Sequence, residues 1–129
     1  MSKKAHAQHN EKVCQLLWAN VDCNDWVVTT AFYASLHYVQ HEIFQFNDGN
    51  REYLNFDNYY NSAKFIGKRP SRHQATADLV DEHLPDCEDS YLFLYENCMT
   101  ARYHRYIIPE TISNKAIYYL NNIKGALLK

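Results

Sequence analysis

Glycine and proline are scarce, three of each in 129 residues, so tight turns and chain breaks are few. No purely apolar run is longer than five residues, as in Tyr91 to Tyr95, which excludes a membrane-spanning helix. The four cysteines, Cys14, Cys23, Cys87 and Cys98, show no C-x-x-C spacing, so neither a disulfide framework nor a zinc ribbon has support, and reduced, buried thiols are expected. Cys87 sits where a helix is expected to begin, a place that favours a thiolate. Met1-Ser2-Lys3-Lys4 leads into polar residues rather than an apolar segment. No secretory signal is read there, and the expected compartment is cytoplasmic. The net charge of -2 argues against a surface built wholly for nucleic acid, though not against a local basic site. What the chain does have is rings, eleven of them tyrosine. Its length suits one domain over residues 1–129 that buries roughly two-thirds of its unfolded surface.

Apolar spacing at i, i+3, i+4 and i+7 predicts four to five helices and no strand. The first covers about 6–22, with Val13, Leu16, Leu17 and Val21 on its inward stripe. The second, capped by Asn24 or Asp25, covers about 25–46 and carries two faces that both look buried. Val28, Phe32, Leu36, Val39, Ile43 and Phe46 form an apolar stripe, and Trp26, Thr30, Tyr33, His37, His41 and Phe44 lie opposite. A helix of this kind is covered on both sides, by its own bundle or by a second subunit. Trp26, Tyr33, His37 and Phe44 are therefore the expected contacts of a homodimer. Residues 47–70, rich in Asn and in aromatic rings, read as a long loop with a short helical turn.

Ser71 and Gln74 form a capping box for a third long helix, to about His83, with Ala75, Leu79 and Val80 inward. Asp86 caps the next, to about Tyr106, whose inward stripe is Tyr91, Leu94, Tyr95, Cys98, Met99, Arg102 and Tyr103. Pro109 opens the last, with Ile112, Ala116, Tyr119, Leu120, Ile123 and Leu127 inward. The fold class is an all-α, up-and-down bundle.

Three constellations carry chemistry. Lys64, Lys68, Arg69 and Arg72, followed by His73, place cations at a helix N-terminus, where free backbone N–H groups also favour an anion such as phosphate. Rings of the preceding loop are candidates to stack bases. The bland reading is a solvated patch balanced by Asp78, Asp81 and Glu82. Arg102, on an apolar and aromatic stripe, needs either a carboxylate partner or a ligand; an arginine stacked on tyrosine is the structural reading. His37 and His41, one turn apart, chelate a divalent metal only if a third ligand arrives, and His73, His83 or Glu42 are the candidates. Packed histidines with satisfied ring nitrogens are the preferred reading, so no metal and no cofactor are assigned. No catalytic residue is assigned either: no nucleophile has an activating neighbour and no carboxylate pair stands out.

The run Asp25-Trp26-Val27-Val28-Thr29-Thr30-Ala31-Phe32-Tyr33-Ala34-Ser35-Leu36-His37, the Ser71 to His73 segment, Tyr91-x-x-Leu94-x-x-x-Cys98-x-x-Ala101-Arg102-Tyr103 and the closing Tyr119-Leu120-x-x-Ile123-Lys124 together resemble a bacterial HEPN-type domain. The resemblance covers nearly the whole chain from about residue 10, through soft helical patterns. It implies a helical bundle, usually dimeric, of a kind that includes metal-independent ribonucleases, toxin components paired with nucleotidyltransferases, and RNA- or nucleotide-binding modules. The ribonucleases of that family share an Arg-x4-6-His motif. Here Arg69 precedes His73 by four positions and Arg102 precedes His104 by two, so the activity does not carry over residue by residue. The expectation is a non-catalytic module binding RNA, a nucleotide or a partner protein, in the setting of a toxin–antitoxin or defence system. Lys68, Arg69, Arg72, His73 and Arg102 are its anion-site candidates, and a nucleotidyltransferase-type protein is a candidate partner. A divergent metal-independent ribonuclease and a DinB-like metal-binding bundle on His37 and His41 are the alternatives.

Overall fold

In a computed structural model, residues 2–19, 23–104 and 107–127 are described. They form six helices, α1 (Lys3–Trp18), α2 (Asn24–Ile43), α3 (Phe56–Tyr60), α4 (Arg72–His83), α5 (Glu88–Tyr103) and α6 (Glu110–Leu127), with a two-stranded antiparallel hairpin of β1 (Phe46–Asn47) and β2 (Glu52–Tyr53). The bundle is all-α as predicted. Its count exceeds the expected four to five because α3 forms inside the segment read as a loop. No described helix is long and apolar enough to cross a membrane.

α1 begins three residues earlier than predicted because the Ser2 hydroxyl caps it, accepting from the Ala5 N–H at 3.1 Å. Its buried face is Ala7, Glu11 and Cys14, whereas Leu16, placed on the inward stripe by its spacing, is 69% exposed. The small Ala7 and Cys14 let the α1 backbone approach α2 closely, and the Cys14 thiol donates to the Val27 carbonyl at 3.4 Å. Val21 lies outside the described residues.

α2 is the central element, touching α1, α4, α5 and α6. Side-chain contacts give the directions. Cys14 meets Val27 while His6 stacks on His37, so α1 runs antiparallel to α2. Tyr91 and Tyr95 pack on Phe32 while Arg102 reaches Tyr33, which places α5 beside the N-terminal half of α2. The predicted apolar stripe is sealed: Val28, Phe32, Leu36, Val39 and Ile43 are all buried. Phe32, Tyr91, Leu79, Leu94, Leu120 and Ile123 are the largest side chains of the core.

The helix stops at Ile43, short of the predicted 46. Phe44 is extended (φ -93°, ψ 137°), and the chain turns its rings toward the hairpin and α3 instead. Phe44 and Phe46 sit 5.3 Å apart, Phe46 and Tyr53 5.3 Å, and Tyr53 and Tyr59 5.0 Å edge to face. This aromatic knot explains why residues 47–70 are ordered despite their polar composition. The hairpin turn is fixed locally: Asp48 accepts from the Asn50 and Arg51 amides, each at 2.9 Å, and Gly49 takes the positive φ of 96° that the turn requires.

Ser71 caps α4 by accepting from the Gln74 amide at 3.1 Å, but the Gln74 side chain donates to Asp78, so only half of the expected capping box forms. Asp86 is not the cap of α5. It lies in a 3₁₀ turn, Pro85–Cys87, and Cys87 holds the cap position at 1% exposure, so the thiol at that helix start is not open to solvent. α5 is described to Tyr103 and His104; Arg105 and Tyr106 lie outside the described residues. Arg102 and Tyr103, placed on the inward stripe by spacing, are exposed, because the last turn of α5 extends past the core. Pro109 precedes α6 and its carbonyl accepts from the Ile112 and Ser113 amides at 3.0 and 3.3 Å. Asn24 ties the start of α2 to this corner, donating to the Ile108 carbonyl and accepting from the Ser113 hydroxyl.

Candidate anion-binding cleft

The face of α2 beside the sealed stripe, sharing Leu36 with it, is only partly covered, and the remaining space is an open cleft of about 630 Å³. Its floor is α2 itself, through Trp26, Thr29, Thr30, Tyr33, Leu36, His37 and Gln40. These positions recur at helical spacing, which is why they share one face. α1 contributes Lys3, His6 and Asn10, α3 contributes Phe56, α4 gives Arg72, His73 and Thr76 from its first turns, and α5 gives Arg102 from its last.

Among the described residues no Asp or Glu lines the cleft, whereas Lys3, Arg72 and Arg102 do. Arg102 donates to the Tyr33 hydroxyl, and its guanidinium lies 5.7 Å from the Tyr33 ring and 5.2 Å from that of Tyr103. Among the described residues no carboxylate lies within ion-pair distance of it, and Asp25 is the acid that borders an adjoining recess with it. Arg72 pairs with Asp57, and its guanidinium sits over Phe56 at 5.0 Å and Tyr60 at 5.2 Å. Of the acids expected to balance the basic cluster, Glu82 acts on Lys64 through its charge, while none of Asp78, Asp81 and Glu82 makes an ion pair with the cluster among the described residues; Asp57 of α3 does that for Arg72. This bond to Arg72 holds the Asp57 carboxyl below its ordinary range.

The three histidines of the cleft are distinct in environment. His37 is 9% exposed and stacks on His6, ring centroids 3.9 Å apart. Burial, with the nearby His6 and Lys3, pushes its pKa down to about 4, so it is neutral at neutral pH. His73 packs against Phe32 at 5.4 Å and Tyr33 at 6.0 Å. Burial first, then the charges of Arg102 and Arg72, lowers its pKa. Permanent charge in the cleft therefore resides on Lys3, Arg72 and Arg102, with the weakly basic imidazoles of His37 and His73 between them.

A polar relay fixes one wall. Gln40 donates to Thr76 at 3.2 Å, and Thr76 in turn donates to the Arg72 carbonyl at 3.0 Å, which fastens the start of α4 to α2. Gln40 Oε1 and His37 Nδ1 are buried without a hydrogen-bond partner among the described residues.

Of the residues singled out by spacing and charge, the structure brings together Arg72, His73 and Arg102, along with Trp26, Tyr33 and His37 from the expected dimer face. Lys68 and Arg69 are exposed and line no part of this cleft; Arg69 instead sits 5.2 Å above Tyr60. Phe44 is half-buried within the chain's own aromatic knot. Trp26 is 56% exposed. His37 and His41 do not share a site: His41 is exposed and borders a separate cavity of about 330 Å³ with Glu11, Tyr38 and Lys124. Among the described residues no group of three or more His, Cys, Asp or Glu is placed to hold a metal. Lys3, His6, Gln40, Phe56 and Asp57 carry no mark in the spacing of the sequence. Only the Ser2 cap signals that a helix begins at Lys3.

No protein-family model, curated protein or solved structure matches the chain.

Proposed function

We propose that the chain is a non-catalytic, HEPN-like helical module whose cleft binds the phosphate of RNA or a nucleotide. The observation that carries this reading is the convergence of Lys3, Arg72 and Arg102 from three helices on a cleft that no carboxylate of the described residues lines. Lys3 and Arg102, with an Arg72 whose charge is shared with Asp57, attract an anion, and a guanidinium presents several donors in a planar fork that matches phosphate oxygens. Arg102 is held for this role by Tyr33 and by the rings on either side of it.

The test is binding of labelled short single-stranded RNA, followed by fluorescence anisotropy at low salt. Arg102→Ala weakens binding about tenfold or more, in line with loss of a charge-assisted contact. Unchanged affinity in Arg102→Ala and Arg72→Ala overturns the reading.

One observation favours a second reading, a divergent metal-independent ribonuclease: His73 feels the charges of both Arg72 and Arg102 and borders the same cleft. Incubating RNA with the protein in EDTA separates the two. Intact RNA agrees with the binding module, and cutting that disappears in His73→Ala replaces it with the enzyme.

A further inference from the structure

Trp26 is a large indole left 56% exposed at one end of a cationic cleft, and no aromatic partner within the described chain covers it. It borders the same cavity wall as Arg102, the two also sharing a smaller recess with Asp25, Thr29 and Ala101, so the one carboxylate beside this end of the cleft is that of Asp25 among the described residues. Fourteen residues further along α2 lies Gln40, the last α2 residue lining the cleft. At a rise of 1.5 Å per residue the lined stretch of α2 is about 21 Å long. The cations occupy about half of it, the roughly 10 Å from Tyr33 to Gln40, with Trp26 beyond them. Arg102 stands at the level of Tyr33, Lys3 near His37, and Arg72 near Gln40 through Thr76 and Phe56.

A single phosphate needs neither this length nor this spread. A nucleic-acid strand needs both, since it carries a negative charge at each step of about 3.4 Å when stacked and more when extended. Single-strand grooves combine a charged track with exposed rings on which bases stack without regard to sequence. Resting on the phosphate-binding reading above, we propose that the cleft is a groove for a short single strand of RNA, with Trp26 as the stacking platform at its end and Arg102 holding the adjoining phosphate. The rings of the 47–70 segment do not serve this purpose, because Tyr53, Phe56 and Tyr59 are buried in the aromatic knot.

The experiment uses the full chain carrying Trp18→Phe, which leaves Trp26 as the sole tryptophan and a direct fluorescence reporter. Hexauridylate, uridine monophosphate and inorganic phosphate are titrated in parallel. The groove requires that hexauridylate quench Trp26 and bind at least about tenfold more tightly than the mononucleotide. A Trp26→Ala variant, followed by anisotropy of labelled hexauridylate, weakens binding about tenfold, the usual worth of one stacked base. Trp26→Phe, which keeps a ring, recovers part of the loss.

Equal affinity for hexauridylate and uridine monophosphate overturns the groove and leaves a nucleotide pocket standing. Phosphate binding as tightly as either leaves only an anion site. Failure of all three ligands to bind removes the phosphate reading as well. A Trp26 emission already shifted to the blue in a sedimenting dimer, unchanged by any ligand, shows instead that a second copy of the chain covers the indole.

Discussion

The guanidinium of Arg102 donates to the hydroxyl of Tyr33, a residue 69 positions earlier in the chain. Packing of α5 on α2 makes the contact, and burial keeps the Tyr33 phenol above its ordinary pKa despite the lowering influence of that charge. Tyr33 thus positions Arg102 while remaining neutral. Tyr33→Phe keeps the ring beneath the guanidinium and deletes the acceptor. The expected outcome is an unchanged melting temperature within about 2 °C and RNA affinity lowered several-fold, with Tyr33→Ala lowering both.

Glu11 sits 8% exposed and joins three helices, accepting from Tyr38 at 2.7 Å and from Lys124 at 2.5 Å. Glu11→Ala removes both bonds and leaves the two donors to find water. Because Lys124 retains access to solvent, the loss is set at about 2 kcal/mol rather than the larger figure of a fully buried pair. A double-mutant cycle with Lys124→Met, read by urea unfolding, returns a coupling of about 1 kcal/mol. Additive single effects would show that the pair is incidental.

Acid weakens this fold partly through His37. Its pKa is about 4 in the folded chain against an ordinary 6.5. Above pH 6.5 both folded and unfolded forms are neutral, and the group adds nothing to the pH dependence. Between about 6.5 and 4 the unfolded chain takes up a proton that the folded one refuses, so stability falls as pH drops, by as much as about 3 kcal/mol. His73 shifts in the same direction, so the clean measurement is the difference between wild type and His37→Phe. The variant gains on wild type from pH 7 to pH 5; a difference that stays constant over that range would refute the assignment.

Thiol reactivity follows burial. Cys14 and Cys98 are fully buried and burial pushes their pKa values up to about 11, while Cys87 is 1% exposed and Cys23 is half-buried at the start of α2. Ellman's reagent should therefore label about one thiol rapidly in the native chain and four in guanidinium, and Cys23→Ser should abolish the rapid phase.

Phe32 carries most of the ring contacts between α2, α4 and α5, meeting His73, Tyr91 and Tyr95. Phe32→Ala costs about 3–5 kcal/mol by calorimetry or denaturant melts.

The long helices are legible in the sequence because burial follows a 3.6-residue period, and the Val28 to Ile43 stripe reports it directly. α1 misleads the same rule. Its inward face uses Ala7 and Cys14, small side chains that permit close approach, and a buried Glu11, none of which scores as an apolar stripe. The unusual second face of α2 is visible in sequence as aromatic and histidine spacing. Its use as a cleft is not, because the covering residues arrive from Lys3, Phe56 and Arg72, whose proximity depends on how four helices pack. Arg72 and Arg102 stand out as charges in unexpected places, whereas Asp57 carries no such mark until α3 places it beside Arg72.

The location of Lys3 and His6 in the opening turns of α1 has a practical corollary. Extra residues fused ahead of Ser2 emerge beside the rim of the cavity and compete for its space and charge, whereas residues appended after α6 do not share that wall. A purification tag of several histidines at the front of the chain is therefore expected to alter ligand uptake, and one at the rear to leave it intact.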